Sequence, residues 1–135
     1  MIELFEEAGQ QMSMLPRPVQ NWMLWLNIIF FSGLLFVLQH AEPRWAIAAH
    51  VACFPVGFTA YHFTRNLDLM GLSHILFWTP LLFYLPKVAL QNSDFHLISP
   101  YGIWMSLLCL TIVISLVFDV RAAIVFFTSS GLRER

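Results

Sequence analysis

Charge is what this sequence has least of. Only 11% of its 135 residues are Asp, Glu, Lys or Arg, against about 25% in an ordinary soluble domain. A water-facing surface is made from such residues, so the chain lacks the means to coat a soluble domain of its size. Seven basic and eight acidic residues leave a net charge of −1. That supplies no basic footprint for nucleic acid, and no nucleic-acid partner is expected. Cysteine is scarce as well. Cys53 and Cys109 stand alone in apolar runs; without CxxC spacing they offer neither a zinc site nor a redox dithiol, and they read as small packing residues. The first residues, MIELFEE, are acidic where the n-region of a secretory signal is basic. Neither a myristoylation start nor a CaaX ending is present. Internal repeats and low-complexity segments are missing too.

What fills the chain is apolar: 59% of residues are hydrophobic and 16% aromatic. A helix crosses the hydrocarbon core of a bilayer in about 20 apolar residues. Four stretches have that character: 19–39, 45–63, 70–85 extending to 90, and 101–118. In lipid every backbone polar group must be satisfied within the segment, which makes helix the expected state. The alternation of a membrane β-barrel is absent. The expected fold is therefore an all-α, integral membrane four-helix bundle. It comprises an amphipathic N-terminal segment (1–18), a four-span bundle (19–127, the last helix extending beyond the membrane) and a polar tail (128–135). Trp22, Trp25, Trp45, Tyr61, Trp78, Tyr84, Tyr101 and Trp104 fall near span ends, where an aromatic belt would lie.

With four spans, the N-terminus, the middle loop and the C-terminus share one side. That side carries Arg17, Arg65, Arg121, Arg133 and Arg135, and the other carries Arg44 and Lys87. The positive-inside rule then puts both termini in the cytoplasm, and the protein in a cytoplasmic (inner) membrane as a multi-pass chain. In residues 2–15, Leu4, Phe5, Ala8, Met12 and Leu15 can share one helical face, with Glu3, Glu6, Glu7 and Gln10 elsewhere. This amphipathic helix would lie at the interface or dock on a partner.

Polar residues inside the spans are few. Ala49, Cys53 and Gly57 give the second span a small-residue face, which Ser32 and Gly33 of the first could approach. Asn27 is the most polar residue deep in a span and is expected to hydrogen-bond across to a neighbour. Pro55 and Pro80 each remove a backbone donor, with Thr59 and Thr79 placed to re-satisfy carbonyls. On the four-span reading, His40 and His50 share the outer side, and His62 and His74 the cytoplasmic side. Such pairs have the makings of two bis-histidine haem b sites. Against this, His50 and His62 lie twelve residues apart and so point roughly 120° from one another on a helix. His96 is in the outer connector, where Glu42 and Arg44 could bracket a small polar site. On the inner side, Arg65, Asp68, Asp119 and Arg121 are candidates for charge pairing across helices and, together with Asn27, for an ion or ligand pathway.

Several classes lack their required residues. The first span has no carboxylate of the kind a small multidrug exporter needs. HExxH does not occur, and Ser32, Ser106 and Ser115 have no histidine at matching depth. An enzyme is not expected. The leading expectation is a non-catalytic subunit or binding component of a membrane assembly, its partners being the lipid bilayer and other membrane subunits or further copies of itself. The alternatives are an oligomeric ion channel or small-molecule transporter, and a haem b electron carrier.

Overall fold

The computed structural model describes residues 1–133; the side chains of Asp68, Ser130, Leu132 and Arg133 lie outside that description, as do residues 134–135. The described chain is all-helical. The helices are α1 (Ile2–Ser13), α2 (Arg17–Ser32), α3 (Glu42–Thr64), α4 (Gly71–Gln91) and α5 (Pro100–Arg133), with 3-10 turns at Gly33–Leu35 and Leu67–Met70.

Two helices, α3 and the Pro100–Ser129 stretch of α5, are long and apolar enough to cross a membrane. Only 28% and 33% of their most apolar stretches are buried, whereas the core helix of a soluble protein would be mostly covered. Large apolar side chains stand outside: Phe54, Phe63, Leu110, Val117, Phe118 and Phe127 are all exposed. Against the four spans expected from the sequence, two of the described helices meet this measure. In α4, His74, Pro80, Pro86 and Lys87 dilute an otherwise apolar run. In α2 the helix ends at Ser32 rather than near residue 39. The cause is a tertiary contact. The Ile29 carbonyl, which a continuing helix would offer to the Gly33 N–H, accepts from the Trp104 indole N–H at 2.9 Å and from the Ser32 hydroxyl at 2.8 Å. Gly33 lies flat against that indole, with no room for a Cβ. Gly33 thus meets the Trp104 indole of α5, and the 3-10 turn it opens also packs on α3.

α4 packs along both α3 and α5, and α2 contacts α3 and α5. Neighbouring helices run antiparallel, since the end of α3 meets the start of α4 (Gly57 against Ser73 and Met70) and the start of α4 meets the later part of α5 (Gly71 against Asp119). Small residues make the α3–α4 approach close: the Cys53 thiol donates to the Ser73 carbonyl at 3.6 Å. Two indoles stitch α2 to α5. Trp22 donates to the buried Ser115 hydroxyl at 3.2 Å and Trp25 to the buried Thr111 hydroxyl at 3.0 Å. The core between the helices holds Phe30, Trp78, Leu85, Trp104, Leu108 and Ile112. The belt assignment is corrected accordingly: Tyr61, Trp78, Tyr101 and Trp104 are core residues, because aromatic bulk between helices packs as well as it sits at an interface.

α3 runs unbroken through Pro55, and α4 through Pro80 and Pro86. Thr59 donates to the Pro55 carbonyl at 2.7 Å; the carbonyl orphaned by Pro55 belongs to Val51, so Thr59 does not repair that loss. α3 ends at Arg65, whose φ of 54° is left-handed and whose N–H closes on the Tyr61 carbonyl at 2.7 Å. α1 docks there. Phe5 stacks on Phe58 with ring centroids 4.1 Å apart, Ala8 is buried, and Glu7 pairs with Arg65. The amphipathic face of α1 therefore meets this chain's own α3.

Candidate functional site

The polar side chains between the helices form stations at three depths. The first, at the α1 end, is a carboxylate and an imidazole. His74 lies in the first turn of α4 and Asp119 on α5, with His74 Nδ1 2.9 Å from Asp119 Oδ2. Both are partly exposed, 27% and 20%, so the pair is open to solvent at the α1 end of the molecule. Gly71 makes the approach possible, since a Cβ there would collide with the Asp119 carboxylate. A carboxylate hydrogen-bonded to an imidazole fixes the orientation of the ring.

One helical turn deeper, Trp78 lies fully buried against that ring. Its centroid is 4.1 Å from that of His74 and the planes are inclined by 12°. On the far side of Trp78 are Phe30 at 5.0 Å and His50 at 5.9 Å. His50 is buried and stacks on Phe30 at 4.3 Å. Its Nε2 is 3.2 Å from Asn27 Oδ1, and the Asn27 amide nitrogen donates to the Met23 carbonyl at 2.8 Å. That second bond settles which amide atom faces the histidine. Oδ1 accepts, so Nε2 carries the hydrogen and Nδ1 is the bare nitrogen of the neutral ring. His50 Nδ1 and Trp78 Nε1 are both buried without a hydrogen-bond partner among the described residues. Uncompensated polar atoms in such a place are uncommon and costly.

The third station is at the opposite end. Glu42 opens α3 and is buried, facing the Tyr101 hydroxyl. A carboxylate in the first turn is favoured by the helix dipole. His40 lies flat on Tyr101, centroids 3.8 Å apart.

Several sequence assignments change. Asn27 does bond across helices, to His50. The pairs His40–His50 and His62–His74 are not the contacts the structure makes: His40 stacks on Tyr101, His50 bonds Asn27, His74 bonds Asp119, and His62 is exposed beside Phe63. Glu42 and Arg44 do not bracket a shared site, since Arg44 donates to the Val37 carbonyl at 2.6 Å while Glu42 turns inward. Of the inner charges, Asp119 pairs with His74 rather than an arginine, and Arg65 pairs with Glu7. Arg121 makes no ion pair among the described residues. The Asp68 side chain lies outside the described residues, as do the Arg133 side chain and Arg135. Groups of three or more metal-ligating side chains are absent among the described residues.

Sequence reading missed Gly71, and it placed Trp78 in an aromatic belt, Glu42 beside Arg44 and Glu7 on the polar face of the N-terminal helix. Two signals were available: Gly71 and Trp78 stand three residues before and four after His74, which puts all three on one helical face.

Fold and contacts together define an all-helical protein with two helices fit to cross a membrane and ionisable groups packed between its helices. No family model matches the chain, and no curated protein or solved structure matches it.

Proposed function

We propose that the protein is a multi-pass membrane protein that moves protons, with Asp119–His74 as its proton-binding centre. In this reading α2–α5 cross the bilayer as a four-helix bundle, with both termini on the cytoplasmic side. α2 and the 3-10 turn that follows it together reach about 30 Å, the thickness of the hydrocarbon core. The observation that carries the function is the His74–Asp119 contact itself. An ionisable pair held between helices of an apolar bundle is expensive to keep and marks a pathway more often than a scaffold.

His74, oriented by its hydrogen bond to Asp119, takes a proton from the cytoplasmic side. Trp78 closes the route above it, and His50, held by Asn27, is the next group able to accept. Transfer between the two histidines requires the Trp78 ring to swing aside or water to enter beside its unpaired N–H. Glu42 and Tyr101 stand at the outer end of the same path. Reconstituted in liposomes under a potassium diffusion potential, the protein should acidify or alkalinise the lumen according to polarity. Asp119→Asn and His74→Gln should each slow that flux by about a hundredfold, the usual weight of a positioned proton-transfer group. Liposomes silent at both polarities would sink the proposal.

A second reading, an accessory subunit of a larger membrane assembly, is favoured by one surface. Ile2, Phe5 and Met14 at the docked N-terminal helix are exposed at 76%, 57% and 82%. It expects a stoichiometric partner on native purification, and a monodisperse preparation of this chain alone counts against it.

A further inference from the structure

The outward face of α4 and α5 carries a groove of about 510 Å³, within the size range of small-molecule sites. Leu82 of α4 and α5 side chains from Val113 to Val125 form its apolar wall, on both sides of Arg121, the charged residue lining it. A second, more polar depression of about 320 Å³ adjoins it, shares Arg121, and is lined also by Asn66 and Ser129. Arg121 is exposed and makes no ion pair among the described residues.

Along α5 these features set one cation beside an apolar wall. Arg121 lies two residues beyond Asp119, which meets the first turn of α4. It is thus level with the loop that carries Asn66, at headgroup depth in the membrane reading. From Arg121 back to Val113 is eight residues of helix, about 12 Å, running toward the bilayer centre along the apolar wall. A guanidinium beside an apolar wall and a more polar depression favours phosphate, which it can bind through two parallel hydrogen bonds.

We infer that this face is a binding site for an anionic phospholipid of the leaflet surrounding the Asn66 loop, its phosphate on Arg121 and one acyl chain in the α4–α5 groove. A zwitterionic lipid presents the same phosphate with its own cation attached, so it gains less from Arg121. The inference rests on the membrane reading above, though not on proton movement.

The test is native mass spectrometry of the detergent-purified full chain. The probes are dioleoylphosphatidylglycerol and dioleoylphosphatidylcholine, which share acyl chains and differ in charge. The wild type should retain the anionic lipid preferentially. Arg121→Gln should lower that preference by about fivefold, the weight of one arginine near an anionic surface, and Arg121→Lys should keep most of it. Val117→Trp, which fills the groove and leaves the charge, should lower retention of both lipids. If the wild type shows no preference, or if either Arg121→Gln or Val117→Trp leaves retention unchanged, the site is wrong. Should Arg121→Gln fail to fold, Val117→Trp decides alone. Alkaline carbonate extraction of the same membranes separates the two levels. Release of the chain overturns the membrane reading and the lipid site with it. Retention in the membrane without lipid preference overturns the lipid site alone.

Discussion

The Asn27 side chain is pinned at both ends, by the Met23 carbonyl and by His50. Asn27→Leu keeps the volume and removes the acceptor, leaving the His50 N–H unpaired inside the protein. The expected loss is about 1–2 kcal/mol, read as a lower thermal midpoint in detergent with α-helical content unchanged. An unshifted midpoint would mean that His50 does not depend on Asn27. Individual residues of this site were legible from sequence: Asn27, His50, His74 and Asp119 each stand out as polar positions in apolar runs. Their partners were not. Helical periodicity tells which residues share a face of one helix, but the register between helices depends on where Gly33, Gly57 and Gly71 let backbones close. That is why the histidines were matched by depth, and why Trp78 was assigned to the membrane surface when it fills the space between His74 and His50.

Elements are joined here by close approaches that leave little slack. Gly71 gives the α4–α5 pair its contact at Asp119, and a methyl group added there meets the Asp119 side chain down to its Cβ. Gly71→Ala should therefore destabilise by about 1–3 kcal/mol, as overpacking does, and should also lose proton flux because His74 and Asp119 are pushed apart. Gly9→Ala, where the added methyl meets open space, is the matched control and should change neither. The α1–α3 junction behaves differently. Arg65 and Glu7 are 55% and 44% exposed, so Glu7→Gln should cost no more than about 0.5 kcal/mol. Phe5→Ala removes the stack on Phe58 and should cost about 0.5–1.5 kcal/mol beyond lost area. Limited proteolysis in the Met14–Arg17 connector, faster for Phe5→Ala than for Glu7→Gln, would show that stacking rather than charge holds α1 down. The reverse order would assign docking to the ion pair. The end of α2 was not legible for a related reason: Ser32-Gly33-Leu34-Leu35 is as apolar as what precedes it, and the break comes from Trp104, some seventy residues later.

For the whole molecule, hydropathy along the chain located the helices well, because apolar runs and the breaks at Pro16, Pro43, Asn66 and Pro100 are local signals. It overestimated how many are fit to span a membrane alone. α2 is short and α4 carries His74 and Lys87, features a bundle can shelter between neighbours but a hydropathy window cannot credit. The four-span reading makes a directional prediction all the same. The described cations divide as Arg17, Arg65 and Arg121 on the side of α1, against Arg44 and Lys87 on the side of the Asn92–Ser99 connector. In a background with Cys53 and Cys109 replaced by Ala, a cysteine at Ser13 and one at Asp94, both exposed, report the two sides. A membrane-impermeant maleimide applied to intact cells should label Asp94→Cys and reach Ser13→Cys only after lysis. The opposite result would invert the orientation and reverse the direction from which His74 is loaded. Labelling of both from one side would require an even number of crossings between α1 and that connector, where α2–α4 supply three, and would overturn the four-span reading.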